Sequence, residues 1–451
     1  MQLDAPKGLS KLLSEFEEKS ASNPSDAALV LKLGRLYIKN GSFDEAIRVY
    51  QRLLINDQGN ITALLEMGLC YARLQQYAEA RFNLEKALDL QPNSSSVFLA
   101  FSKLHEMMGN TEQQGAFLLR AAKAAPGRPE IRLQLAELMR RHGDLASAAK
   151  QYEAVLVINP DNETARFSLG TIFMRQNQLN EAMGHFRHII ARNPSAHDAH
   201  LNLAQCLYRQ EKYGFAIPVF QAALRGYREH PQAQFLLSQC FFHLGDWDRA
   251  LVIMEKLVEK FPDDVQVLMA LGELYLKTNE LDCARDVFFR LRKKFPERSE
   301  FAVKLAKILL GLKRYQESTN ILQELFVSHP GHIDGHRLLG DLHLERKQYK
   351  DALDEYKKTL LINESYLPGY LGVAKVCAQL GDKRQEYAAL QKAAAVQPRD
   401  LDILLRLGQL ERDLGLPASF ERFKAILAIA PQSTQGKEAD YYLRYPAKAR
   451  R

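Results

Sequence analysis

The sequence is poor in most of the features that would mark a specialised chain. Five cysteines in 451 residues are an odd and sparse set. They argue against a disulfide scaffold and fit a reducing compartment. Seventeen prolines and 25 glycines are too few for a collagen-like or disordered chain. No run approaches the roughly 18 consecutive apolar residues that a membrane helix requires, so membrane insertion is not expected. The first twenty residues, MQLDAPKGLSKLLSEFEEKS, carry charge throughout and lack the apolar centre of a secretory leader. A cytoplasmic location is the expectation. The net charge of +7 is mild for this length and does not by itself call for nucleic acid. Catalytic signatures are missing as well: there is no Gly-rich phosphate loop, no G-x-S-x-G and no H-E-x-x-H. The carboxylate pairs in DDVQ and ERDL read as turn and surface charges. An enzyme is not expected, and neither is a cofactor.

What the sequence does have is a repeat of 34 residues. In a frame that starts at Ala27, the eighth position reads Gly34, Gly68, Ser102, Ala136, Gly170, Ala204, Ser238, Gly272, Ala306, Gly340, Ala374 and Gly408. All are small, as a close approach between two helices requires. The twentieth position answers with Ala46, Ala80, Ala148, Ala182, Ala216, Ala250, Ala284 and Ala352, and departs at Gln114, Ser318 and Glu386. Position 32 is proline at Pro92, Pro126, Pro160, Pro194, Pro262, Pro296, Pro330 and Pro398, and at Pro431 once a one-residue deletion in the last unit is allowed for. Proline cannot donate the hydrogen bond that a continuing helix needs, so it ends the unit. Glycine often stands at position 15 (Gly41, Gly109, Gly143, Gly245, Gly381), where it tolerates the left-handed turn that ends a helix. Apolar residues at positions 7, 8, 10 and 11, then 20, 24, 27 and 28, have helical spacing. Each unit is therefore an antiparallel helix pair.

The period, with Leu33, Gly34 and Tyr37, then Ala46 and Tyr50 and a closing proline, resembles the tetratricopeptide repeat. Pentatricopeptide repeats are a poorer match. The resemblance covers about 27–433 in one register and implies an all-α, right-handed solenoid of twelve repeats. Residues 1–26 read as a lone second helix that caps the array, with Phe16 and Pro24 at positions 24 and 32 of the frame. Residues 434–451 read as a closing helix that ends at Pro446, followed by a basic AKARR tail. No stretch remains for a separate globular domain, so a complete solenoid is expected.

Most chemistry-bearing residues have a packing explanation in this frame. Cys70, Cys206 and Cys240 fall at position 10 and Cys377 at position 11, both core positions. Trp247, at position 17 with Phe43, Tyr77, Tyr213, Tyr315 and Tyr349, reads as a packing aromatic. The histidines of 185–200 and 329–343 span interhelix turns and lack a cysteine or a convincing carboxylate partner, so a metal site is not expected.

The resemblance also implies that the first helices line the concave, ligand-binding face, with positions 2, 5, 9, 12 and 13 exposed on it. Position 13 reads Lys39, Arg73, Met107, Arg141, Arg175, Arg209, His243 and Lys277, with Arg140 adjacent. Such a ladder would steer an acidic ligand, although lysine is also the commonest residue at that position in the family. Glu106, Glu137 and Glu273 oppose it and read as pairing with neighbours. Beside it lie Phe167 and Phe235 at position 5, Tyr208 and Phe242 at position 12, and Asn202, Gln205 and Gln239 at positions 6 and 9. Aromatics give contact area and amides can bond a peptide backbone; packing against the adjacent helix is the other explanation. The family's clamp for chaperone tails needs lysine at position 5 and asparagine at position 9, and neither pattern is present. Its asparagine ladder at position 6, found in sugar-transferase relatives, is represented by Asn202 alone.

The leading expectation is a non-catalytic adaptor that holds an acidic, extended or helical protein segment. A targeting or regulatory subunit of an enzyme, secretion or cell-envelope complex uses the same surface. Nucleic-acid binding is disfavoured because acidic residues interrupt the stripe. Self-association through the ends of the array is also compatible with the sequence.

Overall fold

A computed structural model describes residues 7–23 and 25–445. Pro24, Pro446 and the basic tail lie outside the described residues. Among the described residues there are 26 α-helices and no strand. Two compact units, Met1–His230 and Pro231–Arg451, are described separately.

The helices keep the 34-residue frame closely. First helices begin at position 1 in all twelve repeats, from Ala27–Asn40 in repeat 1 to Leu401–Asp413 in repeat 12. Second helices begin at position 17 in the first eleven, from Phe43–Asn56 to Lys383–Val396. The deletion in repeat 12 has a local effect: its second helix, Ala418–Ile429, has 12 residues where the others have 14. Second helices end at position 30, two residues before the proline. The position just before each first helix supplies an N-cap, as Asp26, Asn60, Asn162, Asp264 and Asp400 do with their side-chain oxygens.

The small residue at position 8 meets the side chain at position 24 of the same repeat. A Cβ added to Gly34 would lie 2.3 Å from the Tyr50 ring, and one on Gly170, Gly272 or Gly408 would lie 2.7 Å from Phe186, Phe288 or Phe423. The position-24 side chains are buried throughout. Where position 8 is not glycine, Leu118, Leu322, Leu390 and Met254 are among its partners, although Ala136 and Ala204 face the rings of Tyr152 and Phe220. Ser318, a departure at position 20, is fully buried and donates to the Ala306 carbonyl at 2.8 Å. Trp247 is the first residue of its helix and is 37% exposed, so this aromatic is only partly packed.

The turn inside each repeat places position 15 in the left-handed region. Six repeats have glycine there; Gln75, Asn177, Glu211, Asn279, Lys313 and Lys347 adopt φ of 59–63° in the other six. At the start of the array, Leu9 and Leu13 of the helix Lys7–Ser22 pack on Leu33. At its end, the helix Thr434–Arg444 stacks Tyr442 on Phe423 with ring centres 5.1 Å apart.

First helices of some neighbouring repeats touch one another, as in repeats 2 and 3 or 9 and 10, whereas successive second helices are splayed. Each unit therefore has a first-helix face with some close approaches and, on the other side, troughs between second helices.

Two measurements check this packing. Lys347→Gly relieves a left-handed lysine and should raise the unfolding free energy by about 0.5–1 kcal/mol, read as a higher urea midpoint. Gly170→Ala should cost about 1–3 kcal/mol by overpacking, and adding Phe186→Leu should recover part of that loss, because Ala306 with Leu322 and Ala374 with Leu390 already use the smaller pair.

Candidate partner-binding face

The expected site residues divide between the two units. Arg73, Arg140, Arg141, Phe167, Arg175, Asn202, Gln205, Tyr208 and Arg209 belong to the first unit, and Phe235, Gln239, Phe242 and Lys277 to the second.

The position-13 cations are in different electrostatic states. Arg73, Arg175 and Lys277 are exposed, and no carboxylate lies within ion-pair distance of them among the described residues. Arg141 is exposed but bound: its Nε donates to Glu137 at 2.9 Å. Arg140 binds the same carboxylate through Nε and Nη2, both at 2.8 Å. Arg209 donates from Nη1 to the Met174 carbonyl at 2.9 Å and from Nη2 to Asn177 Oδ1 at 3.4 Å. It thereby ties two successive first helices together without losing its charge.

The opposing acids have partners. Glu106 is bound by Lys103 and Glu273 by Lys304. Glu137 has a further role, because the buried Tyr152 hydroxyl donates to it at 3.4 Å. The same arrangement recurs where position 24 is tyrosine: Tyr356 donates to Asp341 at 2.6 Å beside Arg337, and Tyr50 donates to Glu66 beside Arg35. A buried hydroxyl needs an acceptor, and the arginines balance the charge of that acceptor. Hydrogen bonding from Arg140, joined by Arg141 and resisted by partial burial, pulls the Glu137 carboxyl from its ordinary 4.5 down to about 2.

The aromatics and amides are half-buried. Phe167 packs edge-on against Phe186 at 5.8 Å, Tyr208 against Tyr213 at 5.5 Å and Phe242 against His243 at 5.7 Å. Asn202 donates to the Asp198 carbonyl of its own helix at 2.9 Å. Phe235, Gln205 and Gln239 are half-buried in their first helices.

In the first unit a cleft of about 730 Å³ opens on the first helices of repeats 3 to 5. Leu99, Leu118 and Leu133 form its apolar lining, Ser102, Gln134 and Ser168 offer neutral hydrogen-bonding groups, and the bound pairs Lys103–Glu106 and Arg141–Glu137 edge it. Of the expected residues, only Arg141 lines this cleft. A signal for it was present in the sequence: Gln114, which lines the cleft, is one of the departures from alanine at position 20.

The histidines differ in how they are held: Nδ1 of His105, His185 and His197 is buried without a hydrogen-bond partner among the described residues. His336 is buried between Glu355, 2.7 Å from Nδ1, and the Pro330 carbonyl, 2.8 Å from Nε2, and stacks on Phe326. His185 stacks on Phe173. No group of three metal-ligating side chains occurs among the described residues. Cys70, Cys206, Cys240 and Cys377 are buried, and burial pushes the Cys70 and Cys240 thiols up to about 12.

Two family models described as tetratricopeptide repeat match, one at 31–95, 114–163 and 303–364 and the other at 244–308. A model described as anaphase-promoting complex, cyclosome, subunit 3 matches 141–223 and 175–257. The chain is a tetratricopeptide-repeat protein. This repeat array is 23% identical over 141 residues to the BBSome complex member BBS4 of Xenopus tropicalis, a match covering 31% of the chain and 27% of that relative. It is 27% identical over 138 residues to the transcription factor tau subunit sfc4 of Schizosaccharomyces pombe, covering 28% of the chain and 13% of the relative. The match thus spans about a quarter or less of these longer relatives. Among solved structures, Naa15/Naa10 bound to HypK-THB has a TM-score of 0.45 at 13% identity, covering 92% of this tetratricopeptide-repeat chain and 66% of that one. Yeast Tom70 has a TM-score of 0.43 at 13% identity, covering 93% and 95%. Among the described residues no helix is long and apolar enough to cross a membrane.

The depressed Glu137 pKa carries a sign. Its stabilising contribution is present above the unfolded carboxyl value and is lost as pH falls from about 4.5 toward about 2. Glu137→Gln should be less stable than the native chain at neutral pH, and the two urea midpoints should converge as pH falls through that window.

Proposed function

We propose that this tetratricopeptide-repeat protein is a non-catalytic interaction scaffold of the cytoplasm that holds a segment of a partner protein on the first-helix face of its first unit. The cleft over repeats 3 to 5 carries the reading. It pairs an apolar lining with neutral hydrogen-bonding side chains, which suits an extended backbone bearing small or apolar side chains. Arg73 and Arg175, exposed and without ion pairs, and Arg209, bound only to neutral groups, favour acidic residues in that segment.

A place in a larger assembly, as a targeting or regulatory subunit, is the second reading. Two of the relatives bear the names of a complex member and a factor subunit, which supports it. Both readings use the same face. Nucleic-acid binding is less well supported, because the cations at the cleft are already bound to carboxylates.

The test is capture from nuclease-treated lysate by the native chain and by an Arg73→Glu/Arg175→Glu variant, with a photo-crosslinker in place of Gln134. The expected result is one partner protein crosslinked at position 134, with capture reduced about tenfold or more in the charge-reversed form. Equal capture by both forms, or a crosslink that never forms, would remove the site from this face.

A further inference from the structure

The second unit has a feature on its other side that the first-helix reading does not use. Between the second helices of repeats 8 and 9, Leu281–Lys294 and Tyr315–Ser328, lies a trough of about 480 Å³. Its floor is apolar: Leu305, Leu309 and Ile321 are core residues that reach it from below. Phe289 stands at its edge, 54% exposed. Three guanidinium groups, those of Arg285, Arg292 and Arg314, form the walls. An adjoining hollow of about 370 Å³ shares Arg314 and Glu317 and adds Lys313 and Arg346.

The charges of this region have two roles. Arg285 is held by Asp282 at 2.6 Å and Asp286 at 2.8 Å, Arg314 by both oxygens of Glu317, and Arg292 by Glu324. These pairs fix the wall side chains in place, so little rotamer entropy remains to be lost when a ligand enters. Lys313 and Arg346 are exposed, with no carboxylate in ion-pair reach among the described residues. Five cations line the two hollows together; Asp282, Asp286, Glu317 and Glu324 bind three of them and leave the charge of Lys313 and Arg346 uncompensated.

The corresponding trough between the second helices of repeats 1 and 2 is larger, about 780 Å³, but is lined by one cation and one carboxylate, Lys86 and Asp89. Splayed second helices make a trough in both places, and of the two the one at repeats 8 to 10 carries the excess of cations. The exposed Phe289 ring offers contact area at the edge of that floor, and covering it would remove apolar surface from water. Unpaired cations along the rim give the complementary charge.

We propose that this trough is a second docking site, for an acidic segment of a partner protein that seats one apolar side chain on Leu305, Leu309 and Ile321 against Phe289 and sets its carboxylates toward Lys313 and Arg346. It is independent of the first-helix site, and the chain can hold two different segments at once. An oligonucleotide would find rim charge here but no use for the apolar floor.

The probe is a short fluorescein-labelled peptide of glutamates and aspartates around one central phenylalanine, followed by anisotropy with the full chain. The expected result is saturable binding, weakened about tenfold in Phe289→Ala by loss of the anchor contact and comparably in Lys313→Glu/Arg346→Glu. A peptide with serine in place of its phenylalanine should bind the native chain as weakly. The Arg73→Glu/Arg175→Glu variant should bind the probe normally, whatever happens to the first-helix site. Unchanged thermal melting shows that the variants are folded. No binding by the native chain, equal binding by Phe289→Ala or Lys313→Glu/Arg346→Glu, loss in the first-helix variant, or tighter binding of a single-stranded oligonucleotide of equal charge would each overturn the proposal.

Discussion

The approach of a small residue at position 8 to a large buried side chain at position 24 constrains everything else in each repeat. Without a Cβ on Gly34 or Gly170, the two helices can close until ring and backbone are in contact. That closeness is what buries Tyr50, Phe186, Phe220, Phe288 and Tyr356 fully or nearly so in a unit of two short helices. Helices of 12 to 14 residues are marginal alone, and it is this contact, repeated, that makes them stable. The period of 34 follows: each residue between the two positions must return the chain to the same register.

Position 24 also sets part of the surface chemistry. When it is phenylalanine, as at Phe186, the first helix is free to place Thr171 at position 9. When it is tyrosine, a hydroxyl is carried to the first-helix face and must find an acceptor. Glu137 and Asp341 meet that need, and each is then balanced by an arginine on its own helix, Arg140 or Arg337. An acid and an arginine on the first-helix face are thus, in these repeats, consequences of one core hydroxyl. A reading of surface charge alone counts Arg140 and Arg141 as ligand contacts. The buried partner shows that both are bound to a carboxylate whose position the core dictates.

This explains what could be read from the sequence and what could not. Helix boundaries were legible because the notch residues, the prolines and the alanines at position 20 are local and periodic. The left-handed turn was legible only where glycine marks it. Gln75, Glu211 and Lys347 adopt the same conformation because the flanking helices demand it, and no residue preference announces that. The position-13 stripe was legible as a row of charges, but not as three different states. Arg209 reaches back 32 and 35 residues in sequence to Asn177 and Met174, and only the packing of successive repeats sets that distance. The division of the expected residues between two compact units likewise depends on contacts rather than on composition.

The departures from the repeat are the places where this chain differs from a generic array, and their cost indicates how firmly they are held. Glu386 occupies position 20, where alanine is usual, and is 3% exposed; Arg406 meets it at 2.6 Å. Glu411 is fully buried and receives both Nε and Nη2 of Arg422, at 2.9 and 2.7 Å. Exchanging such a pair for apolar residues is often neutral or favourable, whereas removing one partner costs about 3–5 kcal/mol. The Glu386–Arg406 pair therefore specifies how repeats 11 and 12 join, and the Glu411–Arg422 pair how the two helices of repeat 12 close, more than either strengthens its contact. They also link to the last helix, because Gln409, bonded to Arg406 at 3.3 Å, donates to Glu438 at 2.9 Å. Gln114 in the cleft wall of repeat 3 and Ser318 behind the trough of repeat 9 are departures at that same position. The core exception at position 20 thus accompanies the cleft of repeat 3 and the trough of repeat 9. In a chain whose repeats share one packing rule, the residues that depart from it are what make one stretch of surface unlike the next.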